Sequence, residues 1–162
     1  MTNLVCIMGL GHSGSTLLDM ILGTHPLLFS LGEISYFDDW ILENNQCTCG
    51  RAILQCEFWC QVIQRLDSIE RFQTDILYRN NALKPKVKRK LTGLLTNYLP
   101  LTTTRRLLPV VVPEVWQRLK NMQRLYEEIR NVSEKPILID SSKSARRTKG
   151  LVALQPKTTR VL

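Results

Sequence analysis

A glycine-rich segment near the start of the chain, Gly9-Leu10-Gly11-His12-Ser13-Gly14-Ser15-Thr16, contains residues suited to holding an anion. It follows the short apolar run Leu4–Met8, which is typical of a buried strand, and precedes the helix-forming run Thr16–Leu22. Where a strand meets a helix, unpaired amides and the positive end of the helix dipole favour phosphate-like groups. The segment fits the spacing G-x-x-x-x-G-K-[ST], except that Ser15 replaces the lysine. Because that lysine contacts the β- and γ-phosphates, its replacement argues against an ordinary ATPase or GTPase.

Two other interpretations of the glycine segment stay open. Gly9, Gly11 and Gly14 also satisfy the G-x-G-x-x-G spacing of a dinucleotide site, for which Glu33 is the only candidate for the acidic residue expected about 20 residues later. In the second interpretation, the segment is only a structural turn between a strand and a helix.

Four groups of residues, in order along the chain, resemble a known family. They are His12-Ser13-Gly14-Ser15-Thr16-Leu17-Leu18 followed by His25-Pro26; Gly32-Glu33; Cys47-Thr48-Cys49-Gly50 with Cys56-Glu57-Phe58-Trp59; and Ile139-Asp140-Ser141-Ser142-Lys143. Together they are similar to sulfotransferases that use 3′-phosphoadenosine 5′-phosphosulfate, and the cysteine pattern is similar to that of bacterial members.

The resemblance implies a role for each matched residue. The cosubstrate's 5′-phosphosulfate is expected on the amides and hydroxyls of the loop, with His12 in the place of the family's usual basic residue. Lys143 is expected to neutralise charge on the bridging oxygen, and Glu33 to accept the proton of an acceptor hydroxyl or amine. The expected catalytic residues are thus Glu33, Lys143 and His12, and the expected cosubstrate-binding residues are His12, Ser13, Gly14, Ser15 and Thr16. In the alternative interpretation Glu33 caps a helix and Lys143 is a solvated loop lysine.

Length and charge agree with one globular domain that binds an anion. The chain has 162 residues and a mass of 18.7 kDa, which predicts a single domain over 1–162. Its net charge of +8 is uneven: residues 1–60 contain one basic and six acidic residues, whereas the remaining 102 contain 21 and eight. We expect an anionic small-molecule partner rather than a nucleic acid, because no nucleic-acid-binding module accompanies the charge.

The order of predicted elements indicates an α/β fold. Strands are predicted at Leu4–Met8, Leu27–Leu31 and Ile137–Asp140, with helices between them. We therefore expect a P-loop-like three-layer fold, a mainly parallel sheet flanked by helices, with a cysteine-bearing and helical insertion at about 44–133.

Several local predictions concern that insertion and its surroundings. Residues 34–42 are predicted to be helical, and apolar spacing predicts an amphipathic helix over 58–76. Pro100 and Pro109 are predicted to bracket a loop, and Pro113 to begin a helix with the apolar stripe Val115, Leu119, Met122, Tyr126 and Ile129.

Cysteines and basic clusters allow several interpretations. Cys47, Cys49, Cys56 and Cys60 lie within 14 residues and are compatible with zinc, with disulfides, or with free thiols near the acceptor entrance. Because the spacing is irregular, the last is preferred and no metal is expected. The basic run 84–90 is interpreted as a solvated helix face. The cluster Lys143, Arg146, Arg147 and Lys149 is predicted to face the phosphates of the cosubstrate.

The C-terminal residues Thr159-Arg160-Val161-Leu162 are predicted to begin another buried strand. In the resembling family such a strand leads to an arginine and a serine that bind the 3′-phosphate. We therefore expect a fold that is incomplete at the C-terminus, weak or absent activity of this chain alone, and a complementing C-terminal fragment as a partner. A P-loop kinase-like protein and a non-catalytic partner subunit are the alternative functions. The absence of a targeting signal and of an apolar run near 20 residues leads us to expect a cytoplasmic protein without a transmembrane segment.

Overall fold

The computed structural model describes residues 3–10, 13–66, 74 and 86–162. Its strands are β1 (Asn3–Cys6), β2 (Leu28–Ser30), β3 (Ile137–Asp140) and β4 (Thr159–Val161). Its helices are α1 (Ser15–Gly23), α2 (Phe37–Leu42), α3 (Glu57–Gln64), α4 (Lys86–Asn97), α5 (Leu101–Val111), α6 (Pro113–Ser133) and α7 (Ala145–Leu154), with short 3₁₀ turns at Ile34–Tyr36 and Ile53–Gln55. The prediction of an α/β fold is confirmed.

The four strands form one sheet in the order β2-β3-β1-β4, and every neighbouring pair is parallel. In the register of β1 and β3, Leu4 lies opposite Leu138 and Cys6 opposite Asp140. All four strands therefore end at the same edge of the sheet. This edge is where side chains from separate loops can meet.

The two faces of the sheet are covered to different extents. Leu4, Cys6 and Leu138 belong to the main hydrophobic core, in which the predicted apolar stripe of α6 is buried as expected. Helices α4, α5 and α6 all pack against α7. By contrast, α1 packs on β2 and β3 and leaves Leu17, Met20 and Ile21 exposed.

The helix predicted over 58–76 is not continuous in the described residues. Helix α3 ends at Gln64, and Thr74 lies outside any helix. The Thr74 amide donates to Asp38 Oδ2 at 2.9 Å, and its hydroxyl donates to Oδ1 at 2.7 Å. The predicted apolar positions Ile69, Phe72 and Ile76 lie outside the described residues.

The predicted loop between Pro100 and Pro109 is also wrong, because residues 101–111 form α5. Pro109 lies in the last turn of that helix, where the lost amide leaves only one carbonyl, that of Arg105, without its helical partner. Leu108 is fully buried beside it, and packing of α5 against α6 and α7 stabilises the helix. Pro113 begins α6 as predicted.

The basic run 84–90 is described in part. Lys84 and the side chains of residues 86 and 89 lie outside the described part of the chain. Lys88 forms an ion pair with Glu114, which lowers the pKa of that carboxyl, and Lys90 is exposed. The Lys88 side chain is still 40% exposed, so both described lysines agree with the interpretation as a solvated helix face.

The predicted C-terminal strand is confirmed as β4, which pairs with β1. It is not buried as expected: Thr159 is buried, but Arg160 and Val161 are exposed. No helix in the described ranges is both long and apolar enough to cross a membrane.

Candidate functional site

The carboxyl edge of the sheet brings three loops together. The glycine-rich segment follows β1, Gly32-Glu33 follows β2, and Ser141-Ser142-Lys143 follows β3. The connection from β1 leads past β3 to β2, whereas that from β3 leads past β1 to β4. In open α/β sheets the crevice at such a divergence point is the usual ligand site.

Glu33 and Lys143 form an ion pair across this edge. The distance from Lys143 Nζ to Glu33 Oε1 is 3.3 Å, and the two side chains are 20% and 43% exposed, respectively. Lys143 has a left-handed backbone conformation with φ of 55°, which is uncommon for a residue other than glycine. The structure thus brings together two of the three predicted catalytic residues, which are 110 positions apart in the chain.

Hydrogen bonds hold the loops after β2 and β3 together. The Ser141 amide donates to the Gly32 carbonyl at 3.0 Å, and the Ser35 amide donates to Ser142 Oγ at 3.0 Å. The amide and hydroxyl of Ser142 both donate to Asp140 Oδ1. The backbone segments that carry Glu33 and Lys143 are therefore joined by hydrogen bonds.

The beginning of α1 has an open space in front of it. Gly14 caps the helix with φ of 76°, and a Cβ atom added there would have no neighbour within 4 Å. The first helical hydrogen bond runs from the Leu18 amide to the Gly14 carbonyl, so the amides of the first turn have no partner inside the helix. This geometry is compatible with an anion resting on the loop.

The predicted loop residues differ in accessibility. Ser13, Gly14 and Thr16 are exposed, whereas Ser15 is buried. His12 lies outside the described residues, so its predicted role stays a prediction. The Ser13 hydroxyl folds back so closely on Gly9 that a Cβ at Gly9 would come within 2.5 Å of it. Glycine at position 9 therefore permits the tight path of the loop.

Asp19 is a cleft residue that the sequence reasoning missed. Its Oδ2 accepts hydrogen bonds from Ser30 Oγ at 2.8 Å and Ser141 Oγ at 3.1 Å, so it joins α1 to the ends of β2 and β3. Its Oδ1 is buried without a hydrogen-bond partner. Burial raises the pKa of Asp19, although both serine hydroxyls act in the opposite direction. The available signal was an acid one helical turn after Ser15, on the side of the helix that must face the sheet.

A buried polar network lies just behind the site. Arg147 forms an ion pair with Asp140 and also donates to the Tyr126 hydroxyl, which in turn donates to Asp140 Oδ2 at 2.5 Å. Burial raises the pKa of Tyr126 well above its ordinary value. Burial alone would lower the pKa of Arg147, but Asp140 reverses this and raises it. Burial likewise raises the pKa of the neighbouring Cys6 thiol to about 12.

The prediction that the basic cluster faces a ligand is therefore wrong for most of its members. Arg147 is held inside the core by Asp140, because its side chain is only 2% exposed. The Arg146 guanidinium packs against Gly93 of α4, and Lys149 Nζ donates to the Leu99 carbonyl. Of the four residues in the cluster, Lys143 is the one that reaches the strand-end site.

A cleft of about 910 Å³ begins at Asp19 and Glu33 and extends to the cysteine-bearing segment. One side is aromatic: the rings of Phe29 and Phe58 stack with centroids 5.1 Å apart, and Phe58 meets Trp59 edge-on at 5.2 Å. Its remaining lining residues include Ser30, Trp40, Cys47, Thr48, Cys49 and Cys56. The cleft therefore combines a charged end with a largely apolar wall, as small-molecule sites usually do.

Comparison of the chain with protein-family models, with curated proteins and with solved structures finds no match.

Proposed function

We propose that the chain is a sulfonucleotide-binding, sulfotransferase-type protein with a P-loop-like fold. Its reaction would transfer a sulfuryl group from 3′-phosphoadenosine 5′-phosphosulfate to an acceptor hydroxyl or amine. The observation that carries the proposal is the 3.3 Å pair of Glu33 and Lys143. This pair supplies one base and one cation at the same edge of the sheet from which the glycine-rich segment leaves β1, and such a transfer needs both groups.

The proposed reaction assigns a separate task to each group. The acceptor oxygen forms a bond to sulfur while the bond from sulfur to the phosphate oxygen breaks, and adenosine 3′,5′-bisphosphate leaves. Glu33 takes the proton from the acceptor hydroxyl. Lys143 shifts from Glu33 toward the bridging oxygen, where negative charge develops. The amides of Ser13–Thr16 hold the phosphosulfate oxygens in position.

The shape and lining of the cleft support this assignment. A Cβ atom added at Gly14 would have no neighbour within 4 Å, which is compatible with an anion next to the backbone amides there. The cleft leads from Glu33 along the aromatic wall formed by Phe29 and Phe58, which suits an acceptor with an apolar or ring-shaped body. Serine at position 15 in place of lysine disfavours a triphosphate in the same loop.

The test is binding of adenosine 3′,5′-bisphosphate, measured by calorimetry and by the shift of the thermal unfolding midpoint, in parallel with ATP. We expect the bisphosphate to bind and to stabilise the chain more than ATP does. Lys143→Met should weaken binding at least tenfold, which corresponds to about 1.4 kcal/mol. Lys120→Met is the matched control, because it removes an exposed lysine from α6.

The outcomes separate the candidate functions. Stronger stabilisation by ATP would favour the kinase-like alternative and overturn the proposal. Equal losses in Lys143→Met and Lys120→Met would show that binding depends only on overall charge, which would also overturn it. Binding of the bisphosphate without any sulfuryl transfer to a panel of alcohols and amines would favour a non-catalytic subunit.

A further inference from the structure

Three thiols in the wall of the cleft lie close together. The sulfur atoms of Cys47, Cys49 and Cys56 are all within 4.8 Å of one another, and each of these cysteines is a free thiol. Tetrahedral coordination with zinc–sulfur bonds of about 2.3 Å places sulfurs about 3.8 Å apart. Side-chain rotations that move the sulfur atoms by up to about 1 Å would bring the three thiols to that separation.

A compact hydrogen-bonded turn holds the backbone at Cys47 and Cys49. The Cys47 amide donates to the Arg51 carbonyl at 2.8 Å, and the Gly50 amide donates to the Cys47 carbonyl at 2.9 Å. Gly50 has φ of 84°, a conformation that favours glycine. Gln46 and Ala52 close the turn with an antiparallel bridge. The two cysteines of the turn are thus presented on a small, preorganised hairpin.

The third thiol comes from a different element. Cys56 is the N-cap of α3 and is buried, whereas Cys47 is partly exposed and Cys49 is exposed. A metal bound to this cluster would crosslink the hairpin to the beginning of the helix. That arrangement is typical of protein metal sites, in which binding energy stabilises the local fold.

The cluster excludes the fourth nearby cysteine. Cys60 lies one helical turn after Cys56, and its Sγ donates to the Leu54 carbonyl at 3.2 Å. Three protein ligands therefore face one another, and Cys47, Cys49 and Cys56 all line the cleft. A site with three protein ligands keeps a fourth position for water or another ligand.

We propose that Cys47, Cys49 and Cys56 bind one zinc ion, which fixes the wall of the cleft and keeps its fourth coordination position open toward the cleft. Thiolates select soft or borderline metals, so calcium and magnesium are excluded as occupants. Binding releases the thiol protons. The proposal does not depend on sulfuryl transfer.

The test measures metal on the full chain, purified under reducing conditions without chelators. We expect about one zinc ion per chain in the wild-type protein. Cobalt(II) added to the zinc-free protein should give the visible bands of tetrahedral cobalt and a near-ultraviolet thiolate-to-cobalt charge-transfer band. It should also quench the fluorescence of Trp40 and Trp59, which line the same cleft.

Two matched variants locate the site. Cys49→Ser changes an exposed residue, so the fold should persist, as circular dichroism would check. It should weaken cobalt binding at least about tenfold. Cys60→Ser removes a thiol outside the cluster and should bind cobalt like the wild type. Addition of a chelator should lower the unfolding temperature of the wild type and Cys60→Ser, but not that of Cys49→Ser.

Each contrary result overturns the proposal. Reduced protein that gives no thiolate charge-transfer band with cobalt does not bind metal at the cluster. Equal losses of cobalt affinity in Cys49→Ser and Cys60→Ser would mean that a different set of residues binds the metal. A disulfide among the three thiols, detected as a loss of two mass units in the protein kept away from added oxidant, would assign the cluster to redox chemistry instead. None of these results bears on binding of the bisphosphate.

Discussion

Two ion pairs depend on one short stretch of chain, residues 140–147, yet their environments differ. Asp140 and Arg147 are 1% and 2% exposed, and both form hydrogen bonds with the Tyr126 hydroxyl. Glu33 and Lys143 are 43% and 20% exposed, and Glu33 lines the cleft. The same types of side chain thus serve two purposes. The buried pair holds the end of β3 on α6 and α7, and the open pair is available to a ligand.

The difference shows how solvent decides the role of a charge. In the core, removal of one partner leaves a charge that water cannot reach, so the remaining group is costly. At the strand-end site, water can replace either partner and an anion can replace Glu33, so the pair contributes little to stability and can rearrange.

Asp140→Asn should destabilise the chain by about 3–5 kcal/mol, because Arg147 would remain charged inside the core. The measurement is the free energy of unfolding from a denaturant titration. The double variant Asp140→Asn with Arg147→Met is the control. It should be more stable than Asp140→Asn alone, since no buried charge is left unpaired. A loss below about 1 kcal/mol in the single variant would contradict the structural role of the buried pair.

Asp19 accepts a hydrogen bond from Ser141, which lies between Asp140 and Lys143 in the chain. Its ionisation should make the free energy of unfolding depend on pH. Its pKa is raised from the ordinary 3.8, so the folded chain keeps this proton at pH values where the unfolded chain has lost it. Stability therefore falls as pH rises from the ordinary value through the raised one. Asp19→Asn should remove that part of the slope in a series of denaturant titrations. An unchanged slope in Asp19→Asn would contradict the assignment.

Glu33→Gln should have the smallest effect on stability, below about 1 kcal/mol, because the pair with Lys143 is open to solvent. Its effect on anion binding should be opposite to that of Lys143→Met. Removal of a carboxylate beside an anion site relieves repulsion, so adenosine 3′,5′-bisphosphate should bind at least as tightly as to the wild type. Weaker binding by Glu33→Gln would mean that the two residues act only as a structural pair.

Local patterns predicted the elements that depend on short-range order. The stripe of α6 and the strand Ile137–Asp140 occur as predicted, and the strand predicted at Leu4–Met8 is observed as Asn3–Cys6. Periodicity succeeds here because it reports which face of an element must be buried. The predictions for Pro109 and for the end of α3 were wrong because tertiary contacts, rather than local periodicity, decide the structure there. Tertiary packing kept a proline inside the last turn of α5, and a contact between Thr74 and Asp38 lies where the helix was predicted to continue.

The candidate site was predictable only in its parts. Gly14, Glu33 and Lys143 are recognisable from strand-end positions, and parallel strands place such positions on one edge. The burial of Arg147 was not predictable, because a basic residue after a strand has the same local pattern whether it faces water or the core. Asp19 was missed for a similar reason: its partners Ser30 and Ser141 are distant along the chain.

The sequence by itself determined the succession of strands and helices, the glycine loop at the beginning of α1, and the presence of acid, base and thiol groups. Only the tertiary structure decided which of these groups meet. It paired Glu33 with Lys143, enclosed Arg147 with Asp140, and brought Cys49 to Cys56 while directing Cys60 elsewhere. The physical reason is that solvation and side-chain separation depend on the packing of distant segments, which no local pattern specifies.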